Sequence, residues 1–369
     1  VDSVQLLQPD GIELDDTIIS LSNDGNFNIS CNGGNDGSIE LILSGGSGGY
    51  YFSWTTADGS GLVPDQQNQE GLTAGTYDVD VWDEEDCHKY YSFILTEPLP
   101  LSMNETLSLS LDGNTNINCH GGSDGFIQLM VSGGSIENYT YNWSASNGGS
   151  GIIQGERDQT GLTAGDYHVV LTDLNGCFIE GDYTLTQPDQ MLTQITASQI
   201  TCASPGYNDG SAEVLVSGGT GAGTYTYLWS NGAITPSIEN LVAGMYVVTI
   251  TDANNCIVED SILIVNPPPL VIGISVSDYN GFNVSCYGSS DGWIQTEILS
   301  GTPEYTFTWS GDGGYFSSLQ NIANLPPGQY DLHVEDVNQC YGDTSITLIQ
   351  PEQLNISATT SADISGGYQ

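Results

Sequence analysis

The stretch Leu72-Thr73-Ala74-Gly75-Thr76-Tyr77-Asp78-Val79-Asp80-Val81-Trp82-Asp83-Glu84-Glu85-Asp86-Cys87 decides the fold. An Ala-Gly turn opens it. Tyr77, Val79 and Val81 then alternate with polar residues, the period of a strand buried on one face. An acidic turn and a cysteine close it. The same arrangement returns at 162–177, 241–256 and 325–340, with Tyr167, Val169 and Leu171, then Tyr246, Val248 and Ile250, then Tyr330, Leu332 and Val334 at the alternating positions. Each cysteine stands ten positions after its Tyr, and an aspartate (Asp83, Asp173, Asp252, Asp336) stands six after it.

Upstream, each copy begins with another cysteine, at 31, 119, 202 and 286. An Asp-Gly, a Ser-Gly and an aromatic-x-Trp follow, with Trp54, Trp143, Trp229 and Trp309 in phase. A period of about 85 residues is too long for a solenoid coil and suits a small all-β domain. Six or seven short strands per period predict tandem immunoglobulin-like β-sandwich modules in an extended array. Ile39, Leu41 and Leu43 line one face after Asp36-Gly37, which reads as a tight turn.

Boundaries fall at polar-Pro steps, where proline ends strand pairing: Gln8-Pro9, Glu97-Pro98, Gln187-Pro188, Asn266-Pro267 and Gln350-Pro351. The expected modules are 10–98, 99–188, 189–267 and 268–351. Residues 1–9 match a module ending and 352–369 a module opening, so both termini are expected to be cut inside a longer series. Pro267-Pro268-Pro269 is expected to be the stiffest joint.

Two Lys+Arg against 46 Asp+Glu give a net charge of −44. The charge excludes nucleic acid as a partner and argues against docking on anionic lipid, because both need clustered cations. The charged fraction is only 13% and the hydrophobic fraction 38%, so the chain is not an acidic disordered tail. No run of about 18 apolar residues offers direct membrane insertion. With Lys89 and Arg157 as the only cations, the carboxylates must be solvated, screened or metal-bound.

The eight cysteines come two per module, separated by 56, 58, 54 and 54 positions. Even, in-phase cysteines read as one intramodule disulfide each, Cys31 with Cys87, Cys119 with Cys177, Cys202 with Cys256 and Cys286 with Cys340. Four-ligand zinc is the competing reading, but the four histidines are out of phase. An oxidising, extracytoplasmic location follows.

Two readings stand open for the in-phase aspartates. Asp83, Asp173, Asp252 and Asp336 cap the turn before the second cysteine. Alternatively, if Cys31 joins Cys87, Asp36 and Asp83 share one pole and chelate Ca²⁺ with backbone carbonyls, as would Asp124 with Asp173, Asp209 with Asp252 and Asp291 with Asp336. No cofactor is otherwise required. Gly121-x-Ser123-x-Gly125 formally matches a hydrolase nucleophile elbow, but Asn35 and Asn208 replace the serine in two modules, and no enzyme is expected. The in-phase tryptophans read as core. Trp82 lies out of phase on the outer face, either as an edge-packed structural aromatic or as a surface contact for carbohydrate or a neighbouring module.

The combination C-x-G-x-x-D-G-x-I, S-G-G, Y-x-Y-x-W-S and L-x-A-G-x-Y-x-V-x-V-x-D-x-x-x-C resembles the SprB-type repeat of giant Bacteroidetes surface adhesins. It is seen for example in Tyr225-Thr226-Tyr227-Leu228-Trp229-Ser230 and Leu241–Asp252. The resemblance covers essentially the whole chain. It implies export across the outer membrane by type IX secretion and a part in adhesion or gliding motility. The expected function is a stalk segment of a long extracellular adhesin or surface filament, spanning on the order of 150 Å from strands at about 3.3 Å per residue. It would be outer-membrane-attached or secreted. Its expected partners are neighbouring modules of the same chain, surface polysaccharide or other filament subunits. The alternatives are modules that themselves bind carbohydrate or act through Ca²⁺, and an accessory array of a secreted enzyme.

Overall fold

A computed structural model describes residues 10–135, 138–202, 206–221 and 223–359, and every structural statement below concerns these. The expected module ending at 1–9, and the part of the expected opening from 360 onward, lie outside them.

The first module contains β1 (Glu13–Ile19), β2 (Gly37–Ser44), β3 (Tyr51–Thr56), β4 (Gln69–Leu72), β5 (Gly75–Trp82) and β6 (His88–Leu95). They pair antiparallel into two three-stranded sheets, β1-β2-β4 and β3-β5-β6. The period-2 pattern explains the packing. Ile39 and Leu41 of β2 face Trp54, Tyr77, Val79 and Val81 of the second sheet across one buried core. The second and third modules repeat this plan between Ser102 and Leu185 and between Leu192 and Ile264. The fourth, from Val271 to Leu348, adds Tyr315–Ser317 as a fourth strand to one sheet. The chain is thus all-β, in tandem immunoglobulin-like sandwiches.

Two compact units divide the chain. One takes in the first two modules with Gly218–Gly223 and Asp252–Cys256; the other takes in Met191–Ser217, Thr224–Thr251 and the residues from Ile257 onward.

The four in-phase tryptophans are buried in the four cores. Each ring N–H donates to a backbone carbonyl: Trp54 to Gln66 at 2.7 Å, Trp143 to Glu156 at 2.9 Å, Trp229 to Thr235 at 2.9 Å and Trp309 to Leu319 at 3.0 Å. A buried indole needs such a partner, because an unmet donor away from water is costly.

The tyrosine of the Ala-Gly turn has a second role. Its hydroxyl donates to the carbonyl four residues upstream, Tyr77 to Thr73 and Tyr167 to Thr163 at 2.7 Å, Tyr246 to Val242 at 3.0 Å and Tyr330 to Pro326 at 2.9 Å. This resembles the tyrosine corner of immunoglobulin-like sandwiches. Glycine is required beside it: Gly165 has φ +150°, and a Cβ there would lie 2.0 Å from the Gly149 nitrogen.

Asp36-Gly37 does not form the expected tight turn. Gly37 is the first residue of β2 and follows a loop rather than a paired strand. A Cβ on Gly37 would lie 2.6 Å from Ile29 Cδ1, so the glycine permits the loop to close onto the core. The aspartate is then free to brace that loop.

Candidate functional site

The four turns that carry the second cysteines share one geometry. Asp83 Oδ1 accepts from the Glu85 and Cys87 N–H groups at 3.0 Å, and Oδ2 accepts from Ser47 N–H at 2.8 Å. Asp173 accepts from Asn175, Cys177 and Ser135, Asp252 from Asn254, Cys256 and Thr220, and Asp336 from Asn338, Cys340 and Thr302, all at 2.8–3.0 Å. All four carboxylates are buried. The N–H bonds, that of Cys87 foremost, hold the Asp83 carboxyl below the ordinary aspartate value.

The other aspartate of each module braces the first cysteine. Asp36 accepts from Ser30 N–H at 3.1 Å, Asp124 from Asn118 at 3.3 Å, Asp209 from Thr201 at 2.9 Å and Asp291 from Ser285 at 3.1 Å. Every donor is the residue just before the cysteine. Each module therefore presents two cysteines on loops whose backbone is pinned by a carboxylate.

The bonds these cysteines make differ from the expected pattern. Cys31 is joined to Cys177, Cys119 to Cys256 and Cys202 to Cys340, across 146, 137 and 138 positions. The first cysteine of each of the first three modules thus bonds the second cysteine of the next, and the intramodule pairing expected from the spacing is incorrect. Cys87 and Cys286 are left unpaired and exposed. The physical reason is placement: the two cysteine loops of one module are each held by their own aspartate, and the loops of the six bonded cysteines meet a loop of the adjoining module instead. The Cα–Cα distances of 5.6, 5.6 and 4.8 Å lie within the range for disulfides.

Hydrogen bonds support the junctions. Asn175 Oδ1 accepts from Asp24 N–H at 3.1 Å, and Asn254 Oδ1 accepts from Asp112 N–H at 3.0 Å. Asn254 Nδ2 also donates to the Asn118 carbonyl at 3.0 Å, and Cys202 N–H donates to the Asn338 carbonyl at 2.8 Å. Sequence reasoning missed these asparagines. Their signal was present: Asn175, Asn254 and Asn338 all stand two positions before the second cysteine, where the first module has Glu85.

The Ca²⁺ reading rests on an intramodule disulfide, which does not form. With Cys31 and Cys87 unbonded, the premise that Asp36 and Asp83 share a pole is lost. The oxygens of the four buried aspartates already accept N–H bonds, whereas Ca²⁺ takes six to eight oxygen ligands. Among the described residues no group of three or more His, Cys, Asp or Glu is placed to hold a metal ion.

Trp82 lies in an aromatic row across the outer face of β5. Tyr51 and His88 are its register partners on the two neighbouring strands, with ring centroids at 5.8 and 5.6 Å, and Tyr90 follows His88 at 6.2 Å. His88 Nδ1 lies 2.9 Å from Asp80, which raises the histidine pKa.

The SprB repeat family matches residues 28–59, 114–148, 195–234 and 282–314, once in each module. Each match spans the first cysteine, the Asp-Gly and the core tryptophan. No curated protein matches the chain. Among solved structures, the chain is similar to a tetra-tandem repeat from the extending region of a large adhesion protein, at 12% identity and a TM-score of 0.30, covering 92% of this chain and 98% of that one. A Ca²⁺-stabilized adhesin that helps an Antarctic bacterium bind ice gives 12% identity and a TM-score of 0.33, covering 92% and 99%. The N-terminal eight immunoglobulin domains of Down Syndrome Cell Adhesion Molecule give 10% and 0.21; the chain covers 61% of that structure's length. Likeness at this level carries no functional argument. The four family matches fall in phase with the four sandwiches, so the chain carries one SprB repeat in each module.

Proposed function

We propose that this array is a load-bearing spacer segment of a long extracellular adhesin or surface filament. The observation that carries it is the covalent path. The spans of the three disulfides overlap, so every residue from 32 to 339 lies inside at least one closed loop. Under tension the shortest covalent route from Cys31 to Cys340 runs through two disulfides and the 25 residue steps from Cys177 to Cys202. Unfolding of a sandwich inside a loop adds no length to that route. Such bonds persist in oxidising compartments, which supports placement outside the cytoplasm. Export by type IX secretion and a part in gliding follow from the family resemblance alone.

Single-molecule stretching between residues 31 and 340 tests the proposal. Oxidised chain should gain no more than about 85 Å and reduced chain on the order of 1,000 Å, at about 3.4 Å per residue. Equal extension in both states would remove the load-bearing role.

A second reading is favoured by the Tyr51-Trp82-His88-Tyr90 row, because flat rings, half-buried at Trp82 and exposed at the other three, flanked by carboxylates suit the C–H faces and hydroxyls of a sugar. Binding of surface polysaccharide by the first module, lost in Trp82→Ala, is its expected result. Retention of binding in that variant would dismiss it.

A further inference from the structure

We propose that the outer face of the β3-β5-β6 sheet in the first module binds an amino-sugar polysaccharide, with sugar rings on the aromatic row and a sugar ammonium on Asp78. This rests on the second reading above and names the class of sugar.

The strand register lays the face out as a grid. Trp82 of β5 pairs with Tyr51 and His88, and Asp80 pairs with Ser53 and Tyr90. Asp78 pairs with Thr55 and Ser92. Alternation turns these rows away from the core, about 4.8 Å apart between strands and about 6.6 Å apart along them. The face thus runs from an aromatic row, past Asp80 and Tyr90, to a carboxylate with a hydroxyl on either side. Neighbouring rings of Tyr51, Trp82, His88 and Tyr90 lie within 20° of parallel, which makes a continuous apolar strip. Trp82 and Asp78 stand four residue steps apart, about 13 Å, which suits a chain of sugars rather than one ring.

The other three modules act as internal controls. The positions of Tyr51, Trp82 and His88 hold Thr140, Thr172 and Phe178 in the second module, in the same register. They hold Thr226, Thr251 and Ile257 in the third, and Thr306, Glu335 and Tyr341 in the fourth. None of these rows has more than one aromatic ring, yet each module builds the same pair of sheets. Folding therefore does not require the aromatic row, and a solvent-facing strip of this kind points to a ligand.

Charge selects the sugar. The first module carries 17 of the 46 acidic residues and, of the two cations, only Lys89. Lys89 is the register partner of the buried Val81, so alternation turns it away from this face. Asp80 is engaged by His88 Nδ1 at 2.9 Å. Asp78 is exposed, and no side chain among the described residues pairs with it. Its counterparts are His168, Val247 and Asp331, and Asp331 already accepts from Gln329 and Ser345. An open carboxylate in an acidic module repels uronic or sulfated sugars and attracts an ammonium. Tyr90, beside Asp80, offers its ring to the same cation. A basic peptide would meet the carboxylates and the rings, whereas an amino sugar also offers hydroxyls to Ser53, Thr55 and Ser92.

Calorimetric titration of the full chain tests this, at about pH 6 where the sugar amine is protonated. The probes are a glucosamine hexamer, the same hexamer N-acetylated, and hexalysine. The glucosamine hexamer should bind one site per chain, several-fold more tightly than the N-acetylated one, which is the scale of exposed ion pairs. Asp78→Asn should erase that preference. Glu40→Gln, which removes the same charge from the exposed face of β2 on the opposite sheet, should leave it intact. Trp82→Ala should weaken both sugars. Equal affinity for the two hexamers, still lost in Trp82→Ala, would overturn the amino-sugar inference and leave the polysaccharide reading standing. Binding of neither hexamer would remove both. A preference that survives Asp78→Asn or falls equally in Glu40→Gln would reduce the effect to general charge. Hexalysine binding as tightly as the glucosamine hexamer would make the face a basic-peptide site instead.

Discussion

Cys31 is bonded to Cys177 in the next module, 146 positions away, with Cα atoms 5.6 Å apart, while Cys87 of its own module stays unpaired. That relationship, repeated twice more, turns four separable sandwiches into overlapping covalent loops.

Removal of one staple should be felt in two modules at once. In Cys31→Ser, we expect a new free thiol at Cys177 and none lost at Cys87, read by alkylation and peptide mapping. Opening a loop of this length costs about 5 kcal/mol in the chain-entropy treatment, so the melting temperature should fall as well. A new thiol at Cys87 alone would restore intramodule pairing.

Calcium should not matter to stability. Melting curves in EDTA and in Ca²⁺ are expected to superimpose, because the aspartates at the poles are satisfied by N–H donors. By contrast, Asp173→Ala should destabilise by about 1–3 kcal/mol, since it orphans buried N–H groups of Ser135, Asn175 and Cys177. A Ca²⁺-dependent shift of many degrees would reinstate a metal site.

Acid should weaken the fold despite relieving charge repulsion. Hydrogen bonds from Ser110 and Asn114 hold Asp112 at about 2, against an ordinary 3.8. Asp83, Asp209 and Asp291 are also held below 3.8, mainly by N–H and hydroxyl donors from Cys87, Thr201 and Ser285 respectively. A carboxyl depressed in the folded state contributes stability that is fully present above its unfolded value and lost as pH falls through its folded value. Melting temperature should therefore hold down to about pH 4 and drop between there and pH 2. A rise over that interval would mean that repulsion among the 46 acidic residues dominates instead.

The tyrosine hydroxyls should matter beyond their rings. Tyr167→Phe keeps the buried ring but removes the donor to the Thr163 carbonyl and the acceptor for Ser150 N–H. A loss of about 1–3 kcal/mol is expected by denaturant titration, the range for an orphaned buried polar group. No loss would mean that water replaces the hydroxyl.

Much of the architecture was legible in the chain. Alternation at Tyr77, Val79 and Val81 set strand and core face together, because a period of two leaves a half-buried strand only one sensible orientation. Phase alone identified the buried tryptophans. The turn reading of Asp36-Gly37 failed because an aspartate accepting a loop N–H and a glycine needed for close packing look the same in sequence as a hairpin turn.

The partner of each cysteine was a different kind of question. Positions that repeat with one period are equally in phase with the second cysteine of their own module and of the next, so spacing supports both pairings alike. Spacing did determine that eight cysteines come as four firsts and four seconds, each with its own aspartate. Only the tertiary structure decided between the pairings, because it depends on which braced loop faces which across a junction: Cys177, not Cys87, comes within bonding distance of Cys31.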